Sequence, residues 1–214
     1  VIPCSLRIFL CDSGLLPQGV INMLNATRLT INATKITIKN QFSYLQNFIS
    51  SPRTVGTLAP SSPWLCRAML NQVDWSKTLN IAELGAADGV LTKRILDTMR
   101  ADAQLQAFEI QPNFVHKLNM LDDQRLQVMA HSAEHLAGDF DVVFSCLPLL
   151  SIPVRTSMRI LQRTQQRLKE NNGVMIQFQY SHLSEKMLSR YFTWKKIRVV
   201  KNFPPALVYI CKPI

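Results

Sequence analysis

The stretch "AELGAADG" places Glu83, Gly85, Ala87 and Gly89 in the order acidic–x–Gly–x–small–x–Gly. The apolar run before it, "LNIAEL", reads as a buried strand, and "LTKRILDTMR" after it reads as a helix. Glycines in such a turn let the backbone bend sharply and approach a ligand closely. The helix that follows offers unpaired N–H groups and the positive end of its dipole. Glu83 is placed to accept from a cationic amino group lying across the turn. A carboxylate at that strand end repels a pyrophosphate, and the glycine order departs from the nicotinamide-type fingerprint. The pattern suits the amino-acid end of S-adenosylmethionine.

Two further acids follow in a matching order. Glu109 ends a second strand, "AQLQAFEI", twenty residues after Gly89. A Rossmann-like sheet places there the carboxylate that grips ribose hydroxyls, and Ile110 beside it joins the cofactor-binding set. A third strand, "RLQVMAH", runs into "HSAEHL". Ser132, Ala133 and Glu134 then fall beside the adenine, through backbone N–H groups and a side-chain acceptor. Each acid alone reads equally well as a solvated surface group; their joint order favours a cofactor.

A fourth run, "FDVVFSCLPLL", looks like a strand that stops at a proline. Pro148 is expected to aim the carbonyl of Cys146 or Leu147 at an amine, with Ser145 the one polar side chain nearby. Ser145, Leu147 and Pro148 are therefore candidate catalytic residues. Extruding a nucleobase calls for a stacking platform and polar readers; here Leu149 stands where a ring is expected and no Asn is present. The site is expected to hold a small aliphatic amine among apolar walls. The rival reading is a β-turn with no chemical duty. An amine of this kind attacks a sulfonium methyl in line, with alignment as the main contribution of the protein. Its ammonium must first lose a proton, which desolvation favours. Tyr44 or water is the candidate acceptor of that proton. Arg53 is the candidate partner of a substrate phosphate, whose geometry a guanidinium suits, with Gly56, Ser61 and Ser62 in the same substrate loop.

The elements that must hold these residues follow a simple alternation. After the third and fourth strands come a long helix over roughly 154–169, a fifth strand "GVMIQFQY", a helix around "SEKMLSRYF", and a closing hairpin in "WKKIRVVKNFPPALVYICK". Strands alternating with helices predict a doubly wound α/β sheet, and the final pair with no helix between them predicts an antiparallel edge. Before this region, Pro63 is expected at the first position of a helix through "WLCRAML", capped by Ser61 or Ser62. "QFSYLQNFIS" carries Phe42, Leu45, Phe48 and Ile49 at helical spacing, an apolar face for the core or for a membrane interface.

The 214 residues suffice for one full domain, and 47% hydrophobic residues fit a globular chain. The net charge of +10 is uneven: +4 over residues 1–60, −4 over 61–154 and +10 over 155–214. An acidic middle between basic ends suggests a cofactor half beside an anion-facing surface. Arg155, Arg159, Arg163 and Arg167 recur every fourth residue, a stripe that reads as a solvated face or a membrane-docking one. The five cysteines form no CxxC pair, so no metal site or disulfide framework is expected, and Cys146 reads as a structural thiol. Reduced thiols fit a cytoplasmic protein. The first residues lack a clean signal-peptide core; Met23 is a candidate start and residues 1–22 a candidate artefact.

"FISSPRTVGTLAPSSPWLCRAM", "IAELGAADGVLTKRIL", "FDVVFSCLPLLSIP" and "YFTWKKIRVVKNFPPALVYIC" together resemble the bacterial soluble-type phospholipid N-methyltransferases, distant relatives of the ribosomal RNA adenine dimethylases. The resemblance spans about residues 41–212. It implies a Rossmann-like class I methyltransferase fold with a seven-stranded sheet, an antiparallel edge hairpin and an N-terminal helical extension. It also implies S-adenosylmethionine as cofactor and phosphatidylethanolamine as substrate, methylated toward phosphatidylcholine. Ala87 departs from the family, which usually has glycine there. The expected organisation is an arm over 1–40, a membrane- and substrate-facing part over 41–70 and the methyltransferase domain over 71–214. The expected setting is the cytoplasmic face of the inner membrane, with an anionic lipid surface as partner and no metal. The rivals are an RNA adenine-N6 methyltransferase, which the missing Asn and ring oppose, a non-catalytic lipid- or RNA-binding module, and a small-molecule methyltransferase.

Overall fold

A computed structural model describes residues 62–202 and 204–214. The expectations for Tyr44, Arg53, Gly56 and Ser61, for the arm over 1–40 and for the helix over 41–50 lie outside the described residues, as does the extension they belong to.

Helix α1 (Pro63–Leu70) begins with Pro63 in its first turn, and the Ser62 hydroxyl caps it by accepting from the Leu65 N–H at 3.2 Å. The Ser62 side chain expected to face substrate is thus engaged in holding this helix end. There follow β1 (Asn80–Leu84), α2 (Val90–Thr98), β2 (Gln104–Phe108), α3 (Pro112–Asn119) and β3 (Leu126–Met129). A 3-10 turn over Ala133–His135 leads to β4 (Val142–Ser145), α4 (Val154–Lys169) and β5 (Val174–Gln179). The chain closes with a short helix α5 (Glu185–Leu188), β6 (Phe192–Val199) and β7 (Ala206–Pro213).

The seven strands form one sheet in the order β3-β2-β1-β4-β5-β7-β6. β1 to β5 are mutually parallel, and β7 runs antiparallel between β5 and β6. This is the doubly wound sheet with an antiparallel edge that the alternation predicts. Strand order reverses between β1 and β4, and the crevice at such a switch point is where open α/β sheets bind ligands. The two neighbours carry Glu83 and Ser145 at their carboxyl ends, with Leu84 in register with Ser145.

Both sheet faces are covered, which is why the central strands read as unbroken apolar runs. On one face Leu65, Met69, Leu91, Ile95 and Phe144 pack together; on the other Leu84, Phe108, Leu149, Leu161 and Tyr209 do. Trp75 stacks on Phe144 with ring centroids 6.1 Å apart and donates its indole N–H to the Leu70 carbonyl.

Two expectations shift. The helix expected through "SEKMLSRYF" ends at Leu188, and Phe192 opens β6 instead. Phe192 pairs with Pro213 and is 2% exposed, so sheet pairing with a buried ring overrides the helical spacing. The arginine stripe of α4 is also less free than its spacing suggests. Arg159 pairs with Glu134 at 2.7 Å and Arg167 lies 3.7 Å from Asp139, so two of the four cations answer acids of the β3–β4 connection.

Candidate functional site

The turn from β1 into α2 has three residues in the left-handed region: Gly85 at φ 77°, Ala87 at φ 49° and Gly89 at φ 81°. At Gly85 a side chain is excluded twice over, because an added Cβ would lie 2.8 Å from Leu147 Cδ2. The Gly85 and Ala86 N–H groups both donate to the Phe108 carbonyl, at 2.9 and 3.1 Å. The turn is thus pulled onto the end of β2 and lies under the turn that follows β4.

Glu83 is fully buried. One carboxyl oxygen accepts from the Thr92 hydroxyl at 2.6 Å, and the other, Oε1, is buried without a partner. Burial raises its pKa from the ordinary 4.5 to about 8, outweighing the Thr92 bond, with the nearby Asp88 and Glu109 charges adding to the rise. An orphaned buried carboxyl oxygen carries an unmet need for a donor. An ammonium group arriving at this turn meets that need.

Glu109 sits at the end of β2 with 7% exposure. Its Oε2 accepts from the Ala87 N–H at 2.9 Å, and its Oε1 from the N–H groups of Ile110 and Gln111 at 2.8 Å each. Three of about four acceptor sites of the carboxylate are filled by backbone. Glu109 thus buckles the β1 and β2 loops together and retains about one site for a hydroxyl. Ile110 beside it is 67% exposed, an apolar surface at the same edge. Ser132 caps the 3-10 turn by accepting from the Glu134 N–H at 3.2 Å, and its hydroxyl donates to the Glu134 carboxylate at 3.3 Å. Ala133 is buried, and Glu134 is held by Arg159. These residues gather along one edge of the sheet, and they fit S-adenosylmethionine: Glu83 for an ammonium, Glu109 for a sugar hydroxyl, and Ile110 with the 132–134 turn for a flat ring.

The turn after β4 is tied down at almost every polar atom. The Cys146 N–H donates to the Leu84 carbonyl at 3.0 Å, and the Leu149 carbonyl accepts from the Ser157 hydroxyl at 2.9 Å. The Leu147 carbonyl accepts from two side-chain amides, Gln177 Nε2 at 3.2 Å and Gln179 Nε2 at 3.0 Å. Two donors fill both lone pairs of that oxygen. The expectation that Leu147 presents its carbonyl to an amine therefore fails. The Cys146 carbonyl, the other candidate, accepts no hydrogen bond among the described residues. Leu149 also departs from expectation: it is fully buried in the core and lines no acceptor pocket. Ser145 is 1% exposed and Pro148 half-buried.

Burial pushes the Cys146 thiol well above its ordinary range and Cys66 up to about 11, so neither is a thiolate nucleophile near neutral pH. No group of metal-ligating side chains occurs among the described residues. A surface groove of about 660 Å3 between α1 and α2, lined by Arg67, Trp75, Arg94 and Asp97, contains none of the motif residues. The orphaned carboxyl and the left-handed turn mark the site more firmly than that concavity does.

Thr92, Gln177 and Gln179 were missed by sequence reasoning. The glutamines had a signal: alternate positions of the apolar strand "VMIQFQY" place both on one face, where burial demands partners.

The fold is that of the Rossmann-like class I methyltransferases. The chain resembles the N-methyltransferase NodS from Bradyrhizobium japonicum WM9 in complex with S-adenosyl-l-homocysteine, with a TM-score of 0.61 at 10% identity, covering 81% of this chain and 98% of that one. It also resembles the 1,6-didemethyltoxoflavin-N1-methyltransferase of Burkholderia thailandensis, with a TM-score of 0.61 at 15% identity, covering 85% and 89%. In sequence it is 27% identical over 191 residues to the ornithine lipid N-methyltransferase of Singulisphaera acidiphila, a match over 83% of this chain and 98% of that protein. No family model matches.

Proposed function

We propose that this chain is an S-adenosylmethionine-dependent N-methyltransferase that acts on the aliphatic amine of a membrane-lipid headgroup. The observation that carries the reading is Glu83 Oε1, buried and unpartnered beside a turn with three left-handed residues at the sheet's switch point. When bound there, the cofactor supplies an electrophilic methyl group on sulfonium sulfur. The protein contributes Glu83 to hold its amino group, Glu109 to hold its sugar, and a rigid turn after β4 against which the acceptor amine is aligned.

The acceptor class is argued from two sides. The turn after β4 offers backbone and amide acceptors and no ring, which fits a compact amine better than a nucleobase. The relative named above acts, by its name, on an ornithine lipid, whose headgroup also carries a primary amine on a short chain. Phosphatidylethanolamine shares that amine and replaces a carboxylate with a phosphate. A lipid surface as partner is supported by the +10 charge of residues 155–214. It is supported too by Trp64, 46% exposed, with Lys201 Nζ 4.3 Å and Arg67 5.7 Å from its ring centroid. β6 runs parallel to β5, so the turn after β6 that carries Lys201 lies at the same sheet edge as the site. Aromatic and cationic side chains together suit an anionic interface. No described helix is long and apolar enough to cross a membrane.

The test is methyl transfer from labelled S-adenosylmethionine to vesicles containing either phosphatidylethanolamine or ornithine lipid. Label in an extracted aminolipid, lost in Glu83→Ala, supports the reading and names the headgroup. Label in neither, with the cofactor bound, overturns it.

A further inference from the structure

Among the described residues beside the acceptor turn, Gln177 carries a buried side-chain oxygen without a partner. It lies on β5 in register with Ser145 and is fully buried. Its Nε2 donates to the Leu147 carbonyl at 3.2 Å and to the Phe178 carbonyl at 2.8 Å. Both neighbours are carbonyl oxygens, which only accept, so the amide cannot be flipped and its oxygen must face the other way. That oxygen, Oε1, is buried with no partner. Standard bond lengths separate an amide's O and N by about 2.2 Å, so Oε1 lies within about 5.5 Å of the Leu147 carbonyl oxygen. Leu147 itself leans on Gly85 of the cofactor turn. The orphaned acceptor therefore lies close to the β4 turn, whose Leu147 side chain meets the cofactor turn.

A buried amide oxygen left without a donor is a standing cost that a ligand donor removes. The neighbouring Leu147 carbonyl cannot share the duty, because Gln177 and Gln179 fill it. We infer that Gln177 is the substrate-positioning residue of this site, its Oε1 accepting an N–H of the headgroup amine while its Nε2 fixes the turn after β4. The inference rests on the lipid-amine reading above. With the Cys146 carbonyl it gives two oxygens for two N–H bonds, which points the nitrogen's lone pair away from both.

Each methyl added removes one N–H. In the transfer a nitrogen–carbon bond forms as the carbon–sulfur bond breaks, its electron pair staying on sulfur, and the amine then sheds a proton to water. A trimethylated nitrogen has no N–H left, so Gln177 Oε1 loses its donor again and the product is held less tightly than the primary amine. Gln177 thus ties affinity to the number of N–H bonds remaining.

The experiment is calorimetric titration of protein saturated with S-adenosylhomocysteine. The ligands are dihexanoyl phosphatidylethanolamine and dihexanoyl phosphatidylcholine, with a primary and a trimethylated ornithine lipid as a parallel pair. Wild-type protein is expected to favour the primary amine over the trimethylated one by about tenfold in one pair. Gln177→Met is expected to abolish that preference while leaving S-adenosylhomocysteine affinity within about twofold, since Met keeps the volume and loses both the acceptor and the Nε2 donor to the turn. Gln177→Glu, which also loses the Nε2 donor to the turn but retains an acceptor oxygen, is expected to keep the preference, and this variant separates loss of the acceptor from loss of the tie to the turn. A preference that survives in Gln177→Met, or is absent from wild type, overturns the inference. If wild type methylates an aminolipid but Gln177→Met keeps the preference, this inference alone falls; if no aminolipid is bound or methylated, the parent reading falls with it.

Discussion

Ala87 holds a left-handed backbone conformation at φ 49° that an L side chain adopts at a cost of about 1–2 kcal/mol. The turn needs that conformation because the Ala87 N–H reaches Glu109 across 2.9 Å. Ala87→Gly should stabilise the fold by about 0.5–1 kcal/mol, less than the strain because glycine also loosens the unfolded chain; chemical denaturation measures it. Glu83 gives a pH signature. Its folded pKa of about 8 lies above the ordinary 4.5, so its protonated form is the one the buried site favours. The stability it contributes is complete below about pH 4.5 and is lost as pH rises through about 8. Glu83→Gln should therefore melt higher than wild type near pH ~9, by about 1 kcal/mol or more, and show little difference near pH ~5. The same variant should bind S-adenosylhomocysteine more weakly. In wild type, binding at neutral pH should release up to about one proton, read from calorimetry in buffers of different ionisation enthalpy. The places of Glu83, Gly85, Gly89 and Glu109 at and after the ends of β1 and β2 were legible because spacing along the chain sets them. Thr92 and Gln177 were not, because they act on residues 9 and 30 positions away that only the folded sheet brings close.

The edge of the sheet is fastened by one carboxylate. Glu185 Oε1 takes Lys196 Nζ at 2.7 Å and the Tyr209 hydroxyl at 2.9 Å, and lies 2.9 Å from His182 Nδ1. The Lys196 bond, then that of His182, holds its pKa down at about 2, while burial and the Glu185 bond hold the Tyr209 phenol above its usual range. Tyr209 is 0% exposed, so Glu185→Ala strands a buried hydroxyl, while the exposed Lys196 turns to water. The expected loss at neutral pH is about 1–3 kcal/mol by urea unfolding. Glu185 carries a depressed pKa, so its contribution is present above about pH 4.5 and fades as pH falls through about 2. The gap between wild type and variant should narrow over that window. At this scale the alternation of strands and helices was readable throughout, because buried parallel strands and amphipathic helices have distinct periods. The helix before β6 was overextended because "RYFTW" fits either period until pairing with β7 decides.

The whole molecule joins an acidic cofactor half to a basic carboxyl third, and two rival partners, a lipid surface and an RNA, both suit net positive charge. Charge therefore does not choose between them, and the proposal of a lipid rests on the acceptor turn. The case against a nucleobase no longer draws on Leu149, which is in the core, and rests on the absence of Asn or an aromatic ring in "SCLPLL". The stripe on α4 was legible as a pattern but not as a partner, since Glu134 and Asp139, remote in sequence, claim two of its arginines. The most direct measurement places both candidates in one tube: wild-type protein, labelled S-adenosylmethionine, purified ribosomal RNA and vesicles carrying phosphatidylethanolamine, ornithine lipid and an anionic lipid. After extraction, the expected result is label in an aminolipid, absent with Glu83→Ala and undetectable in the RNA. Label in the RNA with none in the lipid would contradict it and place the acceptor chemistry of this site on a base.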